Sequence, residues 1–207
     1  MSAAEWVPAD GGVAALREAA QACHGCELWE PATQVVFSAG SPTASIMLVG
    51  EQPGDVEDQQ GIPFVGPAGR LLQKALDEAG ADRAQLYVTN AVKHFRFTWR
   101  GKRRLHQTPE TSHVVACRPW LEAEIVRVDP QLVVVLGATA AKSLLGSAFR
   151  VTRERGHVFE RETPVGSRRF LATIHPSAIL RMDPDVREQG YADFVTDLRT
   201  AVAAVGA

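Results

Sequence analysis

A three-layer α/β/α sandwich on a mainly parallel central sheet of about four strands is the fold this chain predicts, and three observations carry it. Short apolar runs rich in β-branched residues recur along the sequence, helix-periodic segments lie between them, and glycine or proline marks the junctions. Strands that alternate with helices need crossover connections, which make neighbouring strands parallel and cover the sheet on both faces.

A first helix is expected at about Val13 to Ala22. Ser45 to Gly50 is apolar without polar alternation, as a strand buried on both faces should be. Pro67 to Gly80 sets Leu71, Leu72, Ala75, Leu76 and Ala79 on one helical face and ends at a glycine, so it is the crossover to a second strand, Leu86 to Asn90. A helix within Thr111 to Val128, a strand at Leu132 to Gly137, a helix at Ala138 to Leu145, a strand at Phe170 to His175 and a helix near Val186 to Val205 complete the series. His157 to Glu162 followed by Pro164 to Arg169 reads as a small hairpin or a sheet edge. Asp55 to Gly66 and His94 to Pro109 are left as long irregular stretches, and loops of that length in a compact domain usually carry function.

The chain has 207 residues, 45% hydrophobic and 22% charged, which suits a single domain over residues 1–207 with a substantial core. No segment approaches the roughly 20 apolar residues of a membrane span, and Met1 to Gly12 has neither a basic start nor an apolar signal core. A cytoplasmic monomer without a membrane partner is expected. Three cysteines in a reducing compartment point to metal or cluster ligation rather than disulfides. The net charge is only -2, yet Lys93, Arg96, Arg100, Lys102, Arg103 and Arg104 crowd a stretch that contains no acid. Local clustering of this kind suits nucleic acid.

Ligands of open α/β sheets sit at the carboxyl ends of the strands. The turn Gly50-Glu51-Gln52-Pro53-Gly54-Asp55 leaves the first strand there, and its glycines permit close approach of a ligand to the backbone. Asn90 ends the second strand at the same mouth, where its amide either reads a ligand or caps a turn. Phe64, in Gly61-Ile-Pro-Phe-Val-Gly66, either lays a ring on a base, a contact of about 1–3 kcal/mol, or fills the core. Asp55 and Asp58 either serve the site or satisfy turn amides. His175 follows the last strand, placed to donate to a developing oxyanion or simply to begin a helix. Beyond it, Ile179 and Leu180 suit a wedge into a duplex and Arg181 a phosphate contact or a filler of vacated space. Lys102, Arg103, Arg104 and Ser177 are DNA-backbone candidates. His106 lies in the same basic segment, between a strand end and a helix. Cys23-His-Gly-Cys26 with Cys117 supplies three thiolates of a four-ligand set, and His94, His24 or His113 would complete it.

Gly50 to Gly54, Gly61 to Arg70, Thr89-Asn-Ala-Val-Lys93, Cys117-Arg-Pro119 and His175-Pro-Ser177 together resemble the uracil-DNA glycosylase superfamily, from about Cys23 to Arg181. The iron-sulfur family 4 type is the nearest pattern, and Lys102-Arg-Arg-Leu-His106 is similar to the insertion of the UdgX subgroup, which captures uracil-containing DNA covalently. The resemblance implies a 4Fe-4S cluster on Cys23, Cys26 and Cys117, with His94 where family 4 has a cysteine, and a structural role for it. It implies flipping and excision of uracil from single- or double-stranded DNA, single strands being favoured or equal because unstacking is cheaper there.

Uracil shows an N3–H donor beside an O4 acceptor, which one fixed Asn90 amide satisfies with two hydrogen bonds, whereas cytosine reverses the pattern. Excision leaves a uracil anion and an oxocarbenium-like sugar, so His175 and turn amides near Gln52 suit the anion. Gln52 replaces the acid of many relatives and is a poor base for water. His106 is therefore expected to attack C1′ in place of water, with Glu51 holding the proton of its other ring nitrogen. The rival readings are a turnover uracil-DNA glycosylase in which His106 only contacts phosphate, and a non-catalytic DNA-binding module on zinc or a cluster. A nucleotide-binding enzyme is disfavoured because no phosphate-cradling glycine fingerprint follows the first strand.

Overall fold

A computed structural model describes residues 1–206 apart from the Arg83 side chain. Its strands are β1 (Ser38–Gly40), β2 (Ile46–Gly50), β3 (Leu86–Asn90), β4 (Phe97–Arg100), β5 (Arg103–His106), β6 (Leu132–Leu136), β7 (Val158–Thr163) and β8 (Gly166–Thr173). Its α-helices are α1 (Val13–Ala20), α2 (Asp55–Gln60), α3 (Pro67–Glu78), α4 (Thr111–Val128), α5 (Gly137–Leu145), α6 (Val151–Glu154), α7 (Pro176–Leu180) and α8 (Pro184–Val205). Six strands form one sheet in the order β1-β3-β2-β6-β8-β7, and β4 pairs with β5 alone. The four expected strands are its parallel centre.

The sheet is larger than the expected four strands because an antiparallel strand closes each edge. β1 is only Ser-Ala-Gly, too short to show a period. β7 is partly polar, and its pairing with β8 realises the sheet-edge alternative for residues 157–169.

Period-2 alternation of side chains explains the apolar runs. Ile46, Leu48, Leu132 and Val134 point to one layer, where Leu72 and Leu76 of α3 and Phe194 and Leu198 of α8 cover them. Met47, Val49, Val133 and Val135 point to the other, against Leu121 and Ile125 of α4 and Ala140 and Leu145 of α5. Burial of each such side chain contributes about 1.5–3 kcal/mol, and both faces are used, so no polar position interrupts the run. No helix among the described residues is long and apolar enough to cross a membrane.

Both stretches expected to be irregular are ordered. Gly54 starts α2, whose first turn carries Asp55, Glu57 and Asp58 at the positive end of the helix dipole, and Gly61 ends it at φ 73. The helix is short and polar, so it leaves no apolar period to find. Residues 94–109 contain the β4–β5 hairpin, which turns at Gly101, φ 60, and pairs Trp99 with Arg104 and Phe97 with His106.

Register aligns the ends of the parallel strands. Gly50 lies opposite Asn90, and Leu136 opposite Thr173, so the segments after β2, β3, β6 and β8 meet at one mouth. The end of β3 is held from below by a buried ion pair between Lys93 and Glu124 of α4, exposed by 1% and 0%. The ammonium also donates to Thr89 Oγ1 at 2.6 Å and to the Asn90 carbonyl at 2.9 Å, which uses all three of its donors. Glu124 further accepts from the Tyr87 and Thr89 hydroxyls at 2.8 and 2.9 Å. Burial pushes the Glu124 carboxyl up, and Lys93 counters that cost.

Candidate active site

The mouth opens on a cavity of about 530 Å³ lined by Gln52, Gly54, Phe64, Asn90, His106, His175, Ser177 and Arg181. Gly50 packs directly against two of these residues: a Cβ there would lie 2.4 Å from Asn90 Oδ1 and 2.5 Å from Phe64 Cζ. Only a glycine lets β2 approach the amide and the ring together. Asn90 is 2% exposed, and its Oδ1 is buried without a hydrogen-bond partner. An orphaned buried acceptor costs about 1–3 kcal/mol, so a ligand donor repairs a standing deficit. Phe64 holds a left-handed backbone at φ 56, a strained conformation for an aromatic residue, against Gly69 of α3, where a Cβ would meet the Phe64 carbonyl oxygen at 1.8 Å. Its ring lies 6.0 Å from that of His175.

A second cavity of about 480 Å³ shares Gln52, His106, His175, Ser177 and Arg181 with the first and adds Glu51 and Thr139. His106 thus stands on the wall between the two. Its Nε2 lies 3.3 Å from Glu51 Oε1, with the imidazole half exposed and the carboxylate 21% exposed. Thr139, in the first turn of α5, donates its hydroxyl to Glu51 Oε2. Burial pushes the Glu51 carboxyl up, but bonds from His106 and Thr139 outweigh it and hold the group below its ordinary value. The residue beside His106 is therefore an ionised acceptor.

His175 caps α7. Its Nδ1 accepts from the Ser177 amide at 3.2 Å and lies 2.8 Å from Ser177 Oγ, an arrangement that leaves the proton on Nε2. Burial pushes the imidazole down to about 4, so it enters the site as a neutral N–H donor. Ser177, expected on the DNA backbone, orients this ring and also lines both cavities.

Several expected roles are corrected by where the side chains go. Gln52 was expected at the catalytic turn, with a side chain that is a poor base for water, and that side chain serves the hairpin instead: its Nε2 donates to the carbonyls of Arg96 and Gln107 at 3.2 and 3.0 Å and its Oε1 accepts from the Arg96 amide at 3.1 Å. It clamps both ends of the hairpin and has no amide group left for chemistry. Arg104 was expected on a phosphate, yet its guanidinium is bound at 2.5 Å to each of Asp55 and Asp58 and lies over the rings of Phe95 and Phe97. Asp58, expected at the substrate, is fully buried and spends its oxygens on Arg104 and the Thr33 amide, while Asp55 still lines the cavity. The basic stretch is also less bare than it reads: Lys93, Arg96 and Arg104 find acids in other segments, Arg96 at Glu110. Among the described residues Arg100, Lys102 and Arg103 have no ion pair. Thr139 was missed, although it follows β6 at the same mouth, and that placement was the available signal.

Cys23, Cys26 and Cys117 are buried as free thiols in one apolar cluster with Leu28, Phe37, Val92 and Trp120. The Trp120 indole donates to Cys23 Sγ at 3.2 Å. Burial pushes the Cys117 thiol up to about 12, a cost that thiolate ligation would remove. Burial also pushes the His94 imidazole down to about 4, which leaves a neutral ligand. Of the other candidates, His113 has both nitrogens engaged, by the Glu110 amide and by Glu27, and His24 is exposed and stacked on Trp29. Among the described residues no three His, Cys, Asp or Glu side chains converge on a single metal ion.

An open α/β sheet whose mouth holds a base-sized pocket, a fixed amide, a neutral imidazole and a carboxylate–imidazole pair defines a strand-end site for a heterocyclic ligand. The profile of the uracil DNA glycosylase superfamily matches residues 37–199, and the chain belongs to that family. It is similar to the type-4 uracil-DNA glycosylase of Sulfurisphaera tokodaii, 34% identical over 184 residues that cover 86% of this chain and 80% of the relative. Proteins of the same description from Thermotoga maritima and Archaeoglobus fulgidus are each 35% identical, over 79% and 83% of this chain and 81% and 84% of their own.

The depressed His175 makes a pH prediction. An unfolded histidine takes up its proton near pH 6.5, whereas the folded one does so only near 4. The unfolded chain therefore binds more protons between those values, and acid lowers stability across that window. The melting temperature of His175→Gln should fall less than that of the parent between pH 7 and pH 5; parallel curves would remove the assignment.

Proposed function

We propose that this protein excises uracil from DNA and is then held on the deoxyribose through a covalent bond from His106. The observation that carries the reading is the contact of His106 with Glu51 on the wall that both cavities share. Membership of the family and the names of its relatives support the excision step; the position of His106 supports capture.

Uracil enters the first cavity between Phe64 and the Asn90 amide, whose unpartnered oxygen accepts from N3–H while its nitrogen donates to O4. The bond from C1′ to uracil breaks with its electron pair leaving on the base, and the neutral His175 N–H stabilises that anion. One ring nitrogen of His106 donates its lone pair to C1′, and Glu51 receives the proton of the other. The product is a neutral glycosyl imidazole, a poor leaving group, so the adduct persists. Arg181 is exposed and lines both cavities, Lys102 and Arg103 are exposed at the hairpin tip, and all three suit phosphate contacts.

Cys23, Cys26, Cys117 and His94 suit the four ligands of a 4Fe-4S cluster by donor chemistry. Its role is structural, joining the segment after α1 to α4 and the end of β3.

His106→Ser should abolish the band that survives boiling in SDS after incubation with labelled uracil-containing single-stranded DNA, while free uracil rises above one equivalent as water takes the vacated space. A persistent band would exclude His106 as the nucleophile. Asn90→Ala should slow uracil capture at least about tenfold, the scale of a lost pair of hydrogen bonds, and leave affinity for uracil-free DNA within about twofold. Equal losses on both would remove the amide from recognition. Protein purified without oxygen should hold iron and acid-labile sulfide in equal amounts, and Cys117→Ala should lose both; zinc in their place would refute the cluster.

A further inference from the structure

The tip of the hairpin carries a feature that none of these roles uses. Trp99 is 63% exposed, whereas the aromatic residues before it on the same strand face sink progressively inward: Phe97 is partly buried and Phe95 is 1% exposed. The rings form a continuous ladder, Phe95 to Phe97 at 5.2 Å and Phe97 to Trp99 at 5.4 Å with an edge-on angle of 89°. The ladder starts beside the reactive imidazole, Phe95 lying 6.1 Å from His106. An indole supported in this way is held in place yet keeps much of its surface in water. At the same tip lie Arg100, Lys102 and Arg103, the three cations of the stretch that have no ion pair among the described residues, with Arg100 and Arg103 paired across the strands on the opposite face of the ribbon from Trp99.

We propose that Trp99 is a stacking platform for an unpaired base about two nucleotides from the uracil. The inference rests on the reading of this site as one that takes uracil from DNA. An exposed aromatic face on a cationic hairpin tip is complementary to a nucleobase and to the phosphates that flank it, and exposed rings of this type bind single strands with little sequence preference. The spacing agrees. In the ladder Phe97 pairs with His106 and Trp99 with Arg104, so Trp99 lies two strand residues from the His106 position, about 7 Å. That is about two base steps of 3.4 Å along one strand of B-form DNA. In a duplex that base keeps its partner and its own stack, so the platform acts on single strands and sets a preference for them.

Trp99→Ala and Trp99→Phe separate this role from the chemistry. On uracil-free single strands the alanine variant should bind about 5- to 100-fold more weakly, the range of one lost base–aromatic stack, while phenylalanine retains most of the affinity. Duplex binding and the dependence on salt should stay within about twofold of the parent. Replacing the two bases on each side of the uracil with abasic spacers should weaken the parent and erase the difference between parent and variant. An unchanged affinity for single strands, equal losses on single strands and duplex, or a difference that survives the spacers would each overturn the platform. So would a loss of self-association in the alanine variant with DNA binding intact, since the ring would then serve a second copy of the chain. Failure of the parent to release uracil from DNA would sink the excision reading instead, and the uracil-free measurements would still report on Trp99.

Discussion

The buried Lys93–Glu124 pair is the constraint on which the site is built. It joins α4 to the end of β3 and ties the Asn90 carbonyl and the Thr89 hydroxyl to one ammonium. The single Thr89 hydroxyl proton lies within reach of both Glu124 and the Phe37 carbonyl, at 2.9 and 3.0 Å, so the strand that ends in Asn90 is fixed from two sides. A buried charge is tolerated only with its partner, and removing one member of such a pair typically costs about 3–5 kcal/mol. The amide at the pocket floor inherits that rigidity, which discrimination between two pyrimidines with reversed hydrogen-bond patterns requires. The same short segment continues into His94, so the Asn90 amide and the neighbourhood of the buried cysteines are joined by a few residues of one backbone.

His106 is held with comparable care on a different element. The sequence suggests a loose cationic flap, but Gln52 clamps both ends of the hairpin, Arg104 fastens β5 to α2, and Arg96 joins the hairpin base to Glu110. The imidazole is therefore presented by a braced strand, and in the proposed capture the entropy of placing it beside C1′ would already be spent during folding. Thr139 completes the arrangement by occupying one oxygen of Glu51 and leaving the other to the imidazole.

Much of this was legible in the residues because it follows from periodicity and from strand ends. Four apolar runs became the parallel centre of the sheet, and Gly50, Asn90 and His175 came to its mouth because carboxyl ends of parallel strands share a side. What was not legible depended on partners distant in sequence. Nothing near Arg104 shows that Asp55 and Asp58 will claim it, and nothing near Gln52 shows that its amide will be taken by Arg96 and Gln107. The hairpin was hidden by its charges, and α2 and β1 were too short for a period to emerge.

Gly50 has a further consequence. A single methyl group there would displace the Asn90 amide and the Phe64 ring at once, so the hydrogen-bonding and stacking halves of base selection cannot drift apart by small steps. His106, the proposed nucleophile, by contrast sits on a hairpin attached through a few clamps. A lineage or a designer could exchange that hairpin while the nucleobase filter stays intact, which makes the reaction's outcome far more evolvable than its target.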